Sequence, residues 1–184
     1  MKKLNKIVAV IIALLMIYLS FYNSNYFELL FLLLLIVPFI IKIPPIQSLI
    51  YLIMIFLTMC LGFQFTLYQT TTYYDKLVHF LFGIVISIPA LWILIKFKKL
   101  DSLWFTCIFI FCFGAAIGVL WEVVEYIIDS LVGSDMQRRT TGIQDSMQDI
   151  IVCSLGHIVF IMWYIFEVKF NKPIIIDKLI KEME

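Results

Sequence analysis

The sequence predicts an all-α fold, a polytopic membrane helix bundle of about six transmembrane helices. Three observations lead there: 63% of the 184 residues are apolar, only 15% are charged, and the apolar residues fall in long uninterrupted runs. Soluble domains carry roughly half apolar and a quarter charged residues. A helical span needs about 20 apolar residues to cross roughly 30 Å of hydrocarbon. A formal net charge of +1 leaves no basic surface for nucleic acid. The four cysteines, Cys60, Cys107, Cys112 and Cys153, lie inside apolar runs and read as small buried hydrophobes rather than disulfide partners.

Within one integral-membrane domain covering 1–184, spans are expected at 5–22, 26–42, 46–68, 76–97, 102–129 and 145–168. The first follows Met1-Lys2-Lys3 and imitates a signal peptide. No small-x-small cleavage site follows it at Ser20-Phe21-Tyr22-Asn23, so a retained helix is expected. The first two spans have the shortest uninterrupted apolar stretches. Lys42-Ile43-Pro44-Pro45 separates the second from the third, because proline lacks an N–H and restricts the residue before it. Residues 130–144 form a loop between the last two spans, and 172–184 read as an amphipathic tail on the membrane surface.

Basic residues set the expected orientation. With six spans both termini share a side, and that side receives Lys2, Lys3, Lys6, Lys42, Lys96, Lys98, Lys99, Lys169, Lys172, Lys178 and Lys181, eleven of the fourteen. Lys76, Arg138 and Arg139 fall on the other. The positive-inside rule then makes both termini and the tail cytoplasmic, and the 130–144 loop extracytoplasmic. If the first two spans were a hairpin that fails to cross, the later helices would keep this orientation.

The acids are distributed oppositely. Asp75 opens the fourth span with His79 one turn further in, Glu122 and Glu125 close the fifth, followed by Asp129, and Asp145 and Asp149 open the sixth. Spacings of three or four residues put each pair on one helix face. Three consecutive antiparallel helices thereby bring three polar pairs to one membrane face. Asp75, Glu122, Glu125, Asp129, Asp145 and Asp149 are set against Lys76, Arg138 and Arg139, three acids in excess. Two carboxylates about 4 Å apart repel by roughly 4 kcal/mol at an effective dielectric near 20. Such a cluster must take up protons, pair with arginine or bind cations.

Three readings follow. Asp75, His79, Glu122, Glu125, Asp145 and Asp149 could ligate a divalent cation, since oxygen ligands with one imidazole suit Mg²⁺, Mn²⁺ or Zn²⁺, and helical bundles build such centres from facing carboxylate and histidine pairs. Glu122, Glu125, Asp145 and Asp149 are then the candidate catalytic groups. The same residues could instead be a protonated, hydrogen-bonded network that only orders the bundle, or part of a cation or proton pathway. Arg138 and Arg139 beside the cluster neutralise it, or hold an anionic lipid headgroup or cell-wall intermediate. His157, about 12 Å deeper than Asp149 at 1.5 Å per residue, is expected to bond a neighbouring helix. Gly83, Gly114, Gly118 and Gly156 are expected to permit close helix contact, and Glu28 and Glu167 to reach water at helix ends.

The stretch Tyr74-Asp75-Lys76-Leu77-Val78-His79-Phe80 with Gly83, then Glu122-x-x-Glu125, then Asp145-Ser146-x-x-Asp149 with Gly156, resembles the YjdF-like bacterial inner-membrane proteins over about residues 73–157. A more distant similarity is to the VanZ-like proteins, which share the Asp-Lys-x-x-His opening. Their asparagine after the final acid would fall at Cys153, and their Glu-x-x-Gln reads Glu-x-x-Glu here. The resemblance implies a bacterial cytoplasmic membrane protein, multi-pass and embedded in the lipid bilayer. The leading expectation is a site that binds or acts on an envelope lipid or cell-wall precursor. The alternatives are a non-enzymatic envelope protein and a small cation or proton transporter.

Overall fold

The computed structural model describes every residue except 25, 72, 101, 138–141, 173 and 182–184, and only the backbone of Glu28, Ile175, Ile176, Lys178 and Ile180. All regular elements among the described residues are helical. In chain order they are α1 (Lys2–Tyr22), a 3-10 helix (Tyr26–Ile36), α2 (Val37–Ile40), α3 (Pro45–Ile55) with its π-helical extension (Phe56–Gln64), α4 (Leu67–Thr70), α5 (Tyr74–Lys96), α6 (Leu103–Val132), α7 (Ile143–Lys169) and α8 (Ile174–Lys181). Five helices are long and apolar enough to cross a membrane: Lys2–Tyr22, Pro45–Gln64, Tyr74–Lys96, Leu103–Val132 and Ile143–Lys169. The segment expected as the second span is a shorter apolar helix, Leu29–Ile40. The chain divides into two compact units, Met1–Val78 and His79–Glu184, the division falling inside α5.

In the first unit, side-chain hydrogen bonds fix the helix directions. Asn5 near the start of α1 donates to the carbonyl of Pro45 at the start of α3 (2.7 Å). At the other ends, Asn23 donates to the Gln64 side chain (2.8 Å) and Gln64 donates to Ser20 (2.9 Å). Helices α1 and α3 are therefore parallel, and the fifteen residues from Tyr26 to Ile40 carry the chain back between them. As an α-helix that stretch would reach about 22 Å. With eleven residues in 3-10 form, rising about 2.0 Å each, it reaches about 28 Å, close to the hydrocarbon thickness. Pro38 deprives the Leu34 carbonyl of its α-helical donor. The Tyr51 hydroxyl of α3 donates to that carbonyl instead (3.0 Å).

The second unit rests on glycines. Helices α5 and α7 touch through backbone: a Cβ on Gly156 would meet the Phe80 carbonyl and the Gly83 Cα, and one on Gly83 would meet the Cys153 carbonyl. Further along, Ser87 of α5 meets His157 of α7 (2.9 Å), so these two helices run in the same direction. Helix α6 runs the opposite way, with Gly118 beside Cys153 and Gly114 beside the His157 ring. All four glycines thus sit at helix contacts, as their expected role requires. Below them Ala90, Leu91, Ile95, Cys107, Ile110, Phe160 and Tyr164 form an apolar core that also receives Leu179 of α8. Glu167 departs from expectation: it is 1% exposed rather than reaching water. The Trp163 indole N–H, one turn earlier, donates to it (2.6 Å).

This contact predicts a sharp asymmetry between adjacent positions. Gly156→Val should lower the thermal unfolding midpoint of the purified protein in detergent, because overpacking costs about 1–3 kcal/mol or more. Leu155→Val, at an exposed neighbour, should stay within about 0.5 kcal/mol of the parent.

Candidate metal centre

Helix length positions the acids. From Leu103, about 20 residues of α6 cover the hydrocarbon, which brings Glu122 to its edge and the last ten residues beyond it. Ser102 caps the start of α6, accepting from the Phe105 N–H (3.3 Å). Gly133 ends it at φ 74°, a left-handed conformation that glycine adopts without a Cβ clash. In α7, Asp145 and Asp149 occupy the first two turns, and both are buried.

Three side chains converge. His79 of α5 and Glu122 and Glu125 of α6 are all buried, and each offers a ligand atom within 4.8 Å of the others. His79 Nδ1 lies 3.9 Å from Glu122 Oε1. A carboxylate oxygen of Asp149 also lies within 4.8 Å of a His79 ring nitrogen. These buried groups could hold a metal ion: two carboxylates repel one another unless a cation or proton lies between them, and one imidazole with two carboxylates is a donor set for Mg²⁺, Mn²⁺ or Zn²⁺.

Asp75 opens α5 one turn before His79 and is ion-paired with Lys76 at 3.4 Å. Asp145 is buried one turn above Asp149, outside the convergent group. Asp129 belongs to the loop rather than to the cluster: it accepts from the Ser134 hydroxyl and from the backbone N–H groups of Met136 and Gln137 (2.9 Å each). That lowers the negative charge left for the cluster to balance. Arg138 and Arg139 lie outside the described residues.

Gln137 was not foreseen from sequence. Its side-chain amide donates to the Glu122 carbonyl (3.2 Å) and to the Ser146 hydroxyl (3.0 Å), tying the end of α6 to the start of α7 directly over the site. The nearest signal was its position in the loop facing the acids, and a lone glutamine there carries no periodicity.

Comparison with known proteins places this architecture. A family profile described as "Predicted membrane protein (DUF2238)" matches residues 4–169. A Thermotoga maritima protein carrying the description "Uncharacterized protein" is 28% identical over 116 residues, 62% of this chain and 59% of the relative. The chain therefore matches less than two thirds of that relative's length. No solved structure matches.

The loop and the candidate metal centre should separate on mutation. Asp129→Ala removes the acceptor of three loop donors, a loss of about 1–3 kcal/mol. It should speed proteolytic cleavage between 133 and 142 without changing divalent-cation binding by the purified protein, measured by titration beside the wild type.

Proposed function

Because the chain belongs to the DUF2238 family of predicted membrane proteins, we propose that it is an envelope protein holding a divalent cation at its extracytoplasmic face. The observation that carries this reading is the convergence of His79, Glu122 and Glu125 within 4.8 Å. Asp149 adds a carboxylate beside His79, and Asp75, one helical turn before His79, is assigned to the same ion. Mg²⁺, Mn²⁺ or Zn²⁺ bound there would polarise a phosphoryl or carbonyl oxygen, or lower the pKa of a bound water. The substrate class is an envelope lipid or a lipid-linked cell-wall precursor. Arg138 and Arg139 would grip its anionic group. Of the candidate catalytic acids, Asp145, buried one turn before Asp149, is assigned to take the proton of an attacking water.

The orientation rests on the lysines, eleven of the fourteen basic residues falling on the side of the termini. The YjdF-like pattern across 73–157, and the more distant VanZ-like one, support a bacterial envelope setting. A purely structural network is the second reading, favoured by the 3.9 Å His79–Glu122 approach, which a protonated imidazole could use as an ion pair. Transport is disfavoured. Beneath His157, the fully buried Ala90, Leu91 and Ile110 and the buried Phe160 interpose an apolar layer before the next polar side chains of α7, Trp163 and Tyr164.

Metal analysis of the purified wild type beside Glu122→Gln and His79→Ala tests the proposal. Near-stoichiometric divalent metal that disappears in both variants is the expected result. A metal-free wild type, with both variants folded, would leave the structural network. For the orientation, a cysteine at Ser134 should react with a membrane-impermeant maleimide on intact cells. Reaction only after permeabilisation would reverse the assignment.

A further inference from the structure

One helical turn beneath the outer group lies a thiol–imidazole pair, Cys153 and His157, that the proposed function does not use. Asp149, Cys153 and His157 follow one another at intervals of four along the buried face of α7. Cys153 is 2% exposed and His157 is fully buried. The Cys153 Sγ lies 3.6 Å from His157 Nε2. On its other edge, His157 Nδ1 lies 2.9 Å from the Ser87 Oγ, and Ser87 donates to the Gly83 carbonyl at 2.8 Å.

These bonds suit an Nδ1-protonated ring. Ser87 has a single hydroxyl hydrogen, and with it on the Gly83 carbonyl the Ser87 Oγ accepts from His157 Nδ1 and the Nε2 lone pair faces the thiol. Metal-binding histidines have this arrangement: one ring nitrogen faces the ion while the other donates its N–H and holds the ring in place. Zinc with a bond of about 2.3 Å to sulfur and about 2.0–2.1 Å to nitrogen sets those two atoms about 3.5 Å apart in a tetrahedral site. The 3.6 Å separation here matches that edge.

The surroundings are shaped to these two side chains. A Cβ on Gly114 would overlap the His157 ring, and one on Gly118 would lie 3.2 Å from the Cys153 sulfur. Helical side chains lean toward the helix N-terminus. Cys153 and His157 on α7 therefore lean toward the outer group, while Glu122 on the antiparallel α6 leans toward them from one turn above Gly118. Glu122 and Asp149 are the acids whose charge reaches the thiol.

We propose that Cys153 Sγ and His157 Nε2 form an inner cation site for a thiophilic ion, zinc foremost, with Glu122 assigned as a further donor. On binding, the thiol gives its proton to solvent and the thiolate and imidazole bond the ion. The two ligands come from one helix, and Ser87 holds the imidazole. Unlike the outer donors, this pair discriminates against Mg²⁺ and Mn²⁺, because thiolate is a soft ligand. The outer group can hold its ion or fail to without deciding the matter.

Cobalt(II) titration of the purified full-length protein in detergent, under reducing conditions, reads the site directly through thiolate-to-cobalt charge-transfer absorption in the near ultraviolet. Wild type should show the band and zinc should abolish it. His79→Ala, which dismantles the outer group, and Cys112→Ser, which removes an exposed thiol, should retain it. Cys153→Ser and His157→Gln should lose it, and Ser87→Ala should weaken cobalt binding about 10–100-fold. Absence of the band from wild type, or its survival unchanged in folded Cys153→Ser, overturns the proposal. Because absence from wild type decides by itself, the test does not depend on the folding of any variant. Metal bound without the band would overturn the inner site alone and leave the outer one standing.

Discussion

Backbone contact between Gly83 of α5 and Gly156 of α7 is the constraint on which the second unit depends. Inside a bilayer, lipid tails are as apolar as leucine side chains, so helices gain little by burying hydrophobic surface against each other. Close packing and interhelical hydrogen bonds must hold them instead. With no side chain at either glycine, α5 and α7 approach until Ser87 can bond His157 across the contact. One turn the other way along α5 from Gly83 is His79, level with the acids of α6 and α7. Any Cβ at the contact would push apart both the buried hydrogen bonds and the groups above them.

The unit is organised by depth. At the end of the unit where the acids gather, Asp129 is satisfied by three loop donors, and Gln137 ties α6 to α7. Beneath come the buried imidazole and carboxylates of His79, Glu122, Glu125 and Asp149. Cys153 and His157 form the next layer, and then Leu91, Ile110 and Phe160 close the interior.

The first unit meets a different constraint, chain length. Parallel α1 and α3 require the intervening chain to return over nearly a full membrane thickness, and only fifteen helical residues are available. Stretching eleven of them into 3-10 form supplies the missing length at the cost of poorer hydrogen-bond geometry. A bilayer leaves few other solutions, because an unpaired backbone in hydrocarbon is costly. The Tyr51 hydroxyl bonded to the Leu34 carbonyl shows one such group being satisfied from a neighbouring helix.

What the sequence by itself determined was the solvent of the fold, its helical class, and the faces carrying the acids. Apolar run length and three- or four-residue spacing are local properties that survive without knowledge of neighbours. His79, Glu122 and Glu125 were legible for that reason, as were the glycines as contact points. The spacing of Asp149, Cys153 and His157 was equally visible, but a cysteine in an apolar run reads as a hydrophobe until its partner's ring is oriented. Only the tertiary structure could assign Asp129 to the loop, bury Glu167, recruit Gln137 and stretch the second crossing. Each of those depends on where a donor, an acceptor or a chain end lies in space. That Ser87 bonds His157, seventy residues away along the chain, is set by two glycine backbones in contact, and no periodicity along a single helix encodes which neighbour it will meet.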